Sequence, residues 1–222
     1  MMTPRPPSMT LKKKSFFNDD MSRKSESAND RARMMLAQEA ARIIVEQGVD
    51  DYRAAKTKAA ERLGLTARGS LPGNGEIEQA LSEHLQLFHA DSHSGLLQKL
   101  RAAALSAMDL LSAFEPRLVG SVLAGTAGTH STVNLHVFSD SVEQVADRLH
   151  LKQVPNKLYE RRLKSRRGQA ETYAGYRFMY QDASIEATVF PFDGLRQAPI
   201  SSIDGKPMRR ADSRTVQALL AE

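Results

Sequence analysis

The sequence predicts an α+β protein in which a helical N-terminal part precedes a small mixed sheet with flanking helices. Apolar residues recur at helical spacing up to about residue 114, and short β-like runs follow Pro116. A Pro- and Gly-containing stretch with a final helix closes the chain. The expected divisions are a disordered tail over 1–30, a helical region over 31–115, an α/β core over 116–191, and an extended C-terminal segment with a final helix over 192–222.

The first 30 residues combine prolines, lysines and small polar residues, with only Phe16 and Phe17 as an apolar pair. A segment of this composition buries too little apolar surface to fold alone, so we expect a disordered tail. Met9 and Met21 are alternative starts to Met1, and the sequence leaves that choice open.

Four helices are expected before Pro116. Apolar residues from about Asp30 to Leu63 predict two helices that break at Gly48, the second capped by Asp50 and closed at Gly64. Two further helices are expected over Glu76–Phe88 and about Gly95–Phe114.

The second half of the chain changes to short runs typical of strands. The predicted strands are Arg117–Gly120, Val133–Phe138, Ala174–Tyr180 and Ser184–Phe190. A short amphipathic helix over Val142–Leu149 separates two of them, and the last helix runs from about Ser213 to Leu220.

Composition narrows the functional classes. The sequence has 41% hydrophobic and 26% charged residues, as soluble proteins do, and no apolar run approaches the roughly 18 residues that a membrane span needs. We therefore expect a soluble protein without a membrane partner. The absence of Cys excludes disulfides, thiol catalysis and cysteine zinc sites, and it is consistent with a cytoplasmic location. The formal net charge of +5 favours an anionic partner.

One stretch carries a family resemblance. Gly120-Ser121 ends a predicted strand, a Gly-Thr-Ala turn follows, and Asn134-Leu135-His136 lies on the next strand. The order resembles the core motif of the DNA polymerase β-like nucleotidyltransferase superfamily. In that superfamily, a second strand after the Gly-Ser turn carries two carboxylates at alternate positions.

The resemblance implies a nucleotidyltransferase-type sheet with a degenerate site. In the superfamily, carboxylates hold two Mg²⁺ ions and the Gly-Ser turn binds phosphate, the role that would fall to Gly120 and Ser121. Asn134 and His136 stand where the carboxylate pair is expected, and Glu186 stands where a third carboxylate lies on a neighbouring strand. Binding of Mg²⁺ or Mn²⁺ would then depend on Glu186 and His136, which are a poor set of ligands for these ions.

A basic segment follows the short helix and is a candidate nucleic-acid contact. Its cationic residues are Lys157, Arg161, Arg162, Lys164, Arg166 and Arg167, with Tyr159 among them for stacking. The alternative is a solvated hairpin with a surplus of basic residues.

Three hypotheses about function remain open from the sequence. The first is a nucleotidyltransferase-fold pseudoenzyme that binds a nucleotide or RNA and is impaired in two-metal transfer. The second is an active nucleotidyltransferase with an altered metal site built on Glu186 and His136. The third is a scaffold that retains the fold and docks a protein partner through its N-terminal helices.

Overall fold

The computed structural model describes residues 13–49, 51–65, 71–88, 90–165 and 168–221. Four of the predictions above fall outside these ranges: the tail at residues 1–12, Asp50, Arg166 and Arg167. The protein is α+β, with a helical N-terminal part and a five-stranded mixed sheet. None of the helices within the described ranges is long and apolar enough to cross a bilayer.

The helices of the first half are α1 (Lys13–Gln47), α2 (Tyr52–Arg62), α3 (Asn74–Phe88) and α4 (Ala90–Leu110). The start of α1 corrects the predicted tail, since residues 13–30 are helical. The physical reason is that residues 13–47 contain neither Gly nor Pro, so nothing in them interrupts a helix. Gly48, at φ +63°, ends α1 as predicted by donating its N–H to the Ile44 carbonyl.

The cap of α2 differs from the prediction by one residue. Asp51, not Asp50, precedes the first helical residue, and its side chain accepts a hydrogen bond from Arg53 N at 2.9 Å. An N-cap must directly precede the first turn to reach its free N–H groups.

The described residues form two hydrophobic cores. The boundary between them lies before residue 115, because α4 belongs to the second core. One core lies between α1, α2 and α3 and includes Ile43, Ala59 and Ile77. The other places α4 against the sheet, with Ala104 and Met108 in the same cluster as the sheet residues. The fourth helix therefore belongs to the sheet's core, because its apolar side chains cover one sheet face.

The second half contains β1 (Arg117–Val119), α5 (Ser121–Ala124), β2 (Val133–Phe138), α6 (Val142–Leu151), β3 (Asn156–Lys164), β4 (Ala170–Tyr180), β5 (Ala183–Phe190) and α7 (Ser213–Ala218). The strand order is β1-β2-β5-β4-β3, and only the β2–β5 pair is parallel. Strand β3 was not predicted, because its apolar residues do not alternate regularly with polar ones.

Alternation along the strands gives the sheet two different faces. One face is apolar and packs on the helices, with Leu135, Val137 and Ile185 fully buried. The opposite face, here called the open face, carries the polar residues of β2 and β5, including Asn134 and Glu186.

Residues 191–212, here called the strap, connect β5 to α7. A short 3-10 helix, Phe192–Leu195, contacts β2 and β5. Ile200 then bridges Lys164 at the end of β3, and Ala211 pairs with Leu118 of β1. The strap therefore touches both edges of the sheet, as expected for an extended segment that wraps a domain.

Candidate functional site

The sheet brings the expected site residues together on the open face. In the parallel β2–β5 pair, Asn134 lies opposite Glu186 and His136 lies opposite Thr188. Because alternate residues of a strand share a face, Asn134 and His136 point to the same side as Glu186. The juxtaposition follows from the strand order and register alone.

Glu186 is the centre of an arginine–glutamate cluster, formed by Asn134, Arg161, Arg177 and Glu186. Only 6% of Glu186 is exposed. Its Oε2 accepts from Arg161 Nη2 at 2.7 Å, and its Oε1 accepts from Arg177 Nε at 2.8 Å and also from Arg177 Nη2. Arg161 Nη1 donates to Asn134 Oδ1 at 2.7 Å. Both carboxylate oxygens are thus used in charge-assisted hydrogen bonds.

An aromatic ring supports the two guanidinium groups. Arg161 and Arg177 lie 6.0 and 5.7 Å from the centroid of Tyr159. The Tyr159 hydroxyl is 2.7 Å from Thr188 Oγ1, and burial raises the pKa of this tyrosine. Gly175 permits this position, because a Cβ there would lie 2.8 Å from the Tyr159 ring. Tyr159 therefore lies against both guanidinium groups and supports their position.

His136 occupies a buried position next to the cluster. Its Nδ1 accepts from Arg210 Nε at 3.0 Å, so Nδ1 is unprotonated. Its Nε2 is buried and has no hydrogen-bond partner among the described residues, and its ring centroid lies 4.4 Å from that of Phe190. Burial, followed by the charges of Arg210 and Arg161, lowers the pKa of His136 well below its ordinary value. His136 is therefore neutral at physiological pH.

Arg210 of the strap contacts the open face through its hydrogen bond to His136. Besides His136, its Nη1 donates to the Gly194 carbonyl at 2.6 Å. Its guanidinium lies 5.0 Å from the ring of Phe138 and 5.2 Å from that of Phe190. Burial lowers the pKa of Arg210 to about 10, so the group stays charged near neutral pH. It adds a third positive charge to the open face.

These residues do not fit a two-Mg²⁺ site. Each Glu186 oxygen, the Asn134 carbonyl oxygen and His136 Nδ1 already accepts a hydrogen bond from an arginine. Cations surround the one carboxylate of the cluster, whereas two Mg²⁺ ions need several anionic oxygens. In the described residues, no group of three or more His, Asp or Glu is placed to hold a metal ion.

Gly120 and Ser121 lie beside the cluster. Gly120 has φ +77°, a conformation that favours glycine, and a Cβ on it would lie 3.5 Å from Asn134 Nδ2. Ser121 begins the four-residue helix α5. The turn therefore borders the open face at the β1 side, next to Asn134.

The basic residues of β3 do not form one surface. Alternation places Lys157 and Arg161 on the open face, and Arg162 and Lys164 on the opposite face. Of these four residues, only Lys157 and Arg161 lie on the face that carries Glu186.

Sequence reasoning missed Arg177, and it did not place Arg210 beside His136. Arg177 pairs directly with Glu186 across the β4–β5 ladder, and Arg210 reaches His136 from the strap. The alternation of β4 contained the signal for Arg177, since it lies between the buried residues Tyr176 and Phe178 and therefore points to the opposite, open face. The contact of Arg210 with His136 could not be predicted, because it depends on the path of the strap.

The stability of the protein should fall with acidification through His136. Its pKa is lowered by folding, so below about pH 6.5 the unfolded chain binds a proton that the folded chain does not. This group should remove up to about 1.4 kcal/mol of unfolding free energy for each pH unit below 6.5. Urea unfolding at pH 7 and pH 5 would measure the loss.

The variant His136→Gln provides the comparison, because glutamine can still accept from Arg210 but does not titrate. Its loss of stability between pH 7 and pH 5 should be smaller than that of the wild type. An equal loss in both proteins would show that His136 is not the titrating group.

Comparison with protein-family models, curated proteins and solved structures gave no match to this chain.

Proposed function

We propose that the open face binds the phosphates of a nucleotide or RNA and that the protein is impaired in two-metal nucleotidyl transfer. The observation that carries the proposal is the pair Arg161 and Arg177, held on one face around a single buried carboxylate. Two guanidinium charges against one carboxylate leave a net positive charge at a solvent-accessible position.

Both arginine side chains are partly exposed to solvent. The side chain of Arg177 is 57% exposed and that of Arg161 is 33% exposed, while Glu186 beneath them is buried. Guanidinium groups bind phosphate through paired N–H donors, and Glu186 and Tyr159 restrict their side-chain freedom before a ligand arrives. A phosphate would approach from the solvent side of the cluster.

The same contacts argue against the usual transfer chemistry. A metal ion at Glu186 would have to displace two arginines, and no second carboxylate stands at position 134 or 136 to compensate. An active enzyme with an altered metal site would thus require a rearranged cluster. Binding without transfer requires no such change.

Removal of the Arg161 charge should weaken ligand binding, whereas removal of the Arg162 charge should not. Arg161→Gln removes a donor from the open face, and Arg162→Gln removes an equal charge from the opposite face. Loss of one charge-assisted hydrogen bond should reduce the affinity by about tenfold or more. Fluorescence anisotropy with a labelled single-stranded oligoribonucleotide, and competition by ATP, would measure it.

Thermal unfolding of both variants would check that each is folded before binding is compared. An equal loss of affinity in the two variants would indicate unspecific attraction by net charge. That result would remove the open face as the binding site.

A further inference from the structure

The outer edge of β3 forms the border of the sheet. Strand β3 runs over 9 residues and pairs with β4 on its inner side only. Within the described ranges, the one bridge to its outer edge joins Lys164 to Ile200. A strand edge of this length presents N–H and C=O groups to which another strand can bind.

The Ile200 contact identifies the backbone groups that point outward. Ile200 N donates to the Lys164 carbonyl at 2.7 Å, so the backbone of Lys164 faces away from β4. In an antiparallel ladder, successive residues direct their backbone groups to opposite sides. The N–H and C=O groups of Leu158, Glu160 and Arg162 therefore also face outward.

The strap begins to extend this edge and then leaves it. In antiparallel register from the Lys164–Ile200 bridge, Ser202 would be the next partner, opposite Arg162. Instead, the Ser202 carbonyl accepts from Asn74 Nδ2 of α3 at 3.0 Å. The edge can thus take an antiparallel strand, and the strap does not cover it beyond Lys164.

The charge of β3 indicates the chemistry of a partner. The strand carries four basic residues against Glu160, and they lie on both faces of the sheet: Lys157, Arg161, Arg162 and Lys164. A phosphate backbone on one face would meet only half of them. An added peptide strand would place its alternate side chains beside both halves.

We propose that the outer edge of β3 binds an extended acidic peptide segment by strand addition. The backbone groups of Leu158, Glu160 and Arg162 supply the hydrogen bonds, and the basic side chains select acidic residues. Leu158, 65% exposed, offers an apolar contact on the helix-packed side of the sheet. A second copy of β3 is disfavoured, because like charges would face each other.

Peptide binding to the full chain tests the proposal. The probe is a fluorescein-labelled peptide of the length of β3, built from Glu, Thr and Val with Glu on both faces. A second peptide has the same sequence but carries N-methyl groups on alternate amides, which removes ladder donors and retains every charge. The wild type should bind the first peptide at least about tenfold more tightly, since several backbone hydrogen bonds depend on those amides.

Two variants at one position provide the matched test on the protein. Glu160→Pro removes an outward N–H, a change that edge strands tolerate, whereas Glu160→Thr retains that N–H. Both remove the same acidic charge. Only Glu160→Pro should weaken peptide binding.

Equal affinity for the two peptides would overturn the proposal, and so would a failure of the wild type to bind either one. Binding of an oligoribonucleotide but of neither peptide would assign the charge of β3 to phosphate contacts instead. The peptide comparison uses only the wild-type protein, so the test stands even if Glu160→Pro does not fold.

Discussion

Glu186→Gln should tighten the binding of a phosphate ligand by about tenfold, although it removes the carboxylate that the resemblance places in the catalytic site. Glu186 competes with the ligand for Arg161 and Arg177 and also repels it. A neutral amide would release N–H donors of both arginines and raise the net charge of the open face by one. The affinity for a labelled oligoribonucleotide at constant ionic strength would measure the gain.

The same substitution should lower the free energy of unfolding by about 1–2 kcal/mol, because Glu186 accepts three charge-assisted hydrogen bonds, whereas glutamine has a single neutral acceptor oxygen and can keep only part of them; both arginines are partly exposed. Glu160→Gln is the matched control, since it makes an equal charge change on the opposite face of β3. It should change neither quantity appreciably. Loss of ligand binding in Glu186→Gln alone would instead identify Glu186 as a metal ligand.

Gly175→Ala should have the largest effect on stability, a loss of about 3 kcal/mol. A Cβ at this position would lie 2.5 Å from the Ala187 carbonyl oxygen and 2.8 Å from the Tyr159 ring. The β4–β5 ladder cannot move away without losing hydrogen bonds, so Tyr159 must leave Thr188. Chemical denaturation would measure the loss of stability, and ligand binding should weaken as Arg161 and Arg177 lose their support.

Gly95→Ala is the control for this substitution. Gly95 lies within α4, and a Cβ there would meet nothing within 4 Å. Alanine should therefore leave the stability unchanged or raise it by up to about 1 kcal/mol. If Gly175→Ala were equally harmless, the close packing of Tyr159 over Gly175 would be wrong.

Most helices and four of the five strands could be predicted because their apolar residues follow a clear period. The strand Val133–Phe138 is confirmed in full, since its apolar run is flanked by turn residues. Strand β3 was missed because an edge strand with both faces in solvent needs no apolar alternation. The helical start at Lys13 was missed because composition alone was taken to indicate disorder.

The candidate site could be predicted in its positions but not in its chemistry. Asn134, His136 and Glu186 come together as the strand order requires, and sequence spacing was sufficient to place them. The arginine partners of Glu186 lie on β3 and β4, and the sequence spacing did not indicate that their side chains would reach Glu186. Those arginines give the open face the positive charge on which the proposed phosphate binding rests.

The most direct test of the proposed function is a thermal-shift titration of the wild type with each NTP and a single-stranded oligoribonucleotide, in EDTA and then in Mg²⁺ or Mn²⁺. A ligand at one hundred times its Kd should stabilise the protein by about 2.7 kcal/mol. We expect stabilisation that persists in EDTA, falls with added salt, and drops to about 1.4 kcal/mol or less in Arg161→Gln, as a tenfold weaker affinity requires. Stabilisation that appears only with the divalent ion and is lost in Glu186→Gln would contradict anion binding and support metal-dependent transfer.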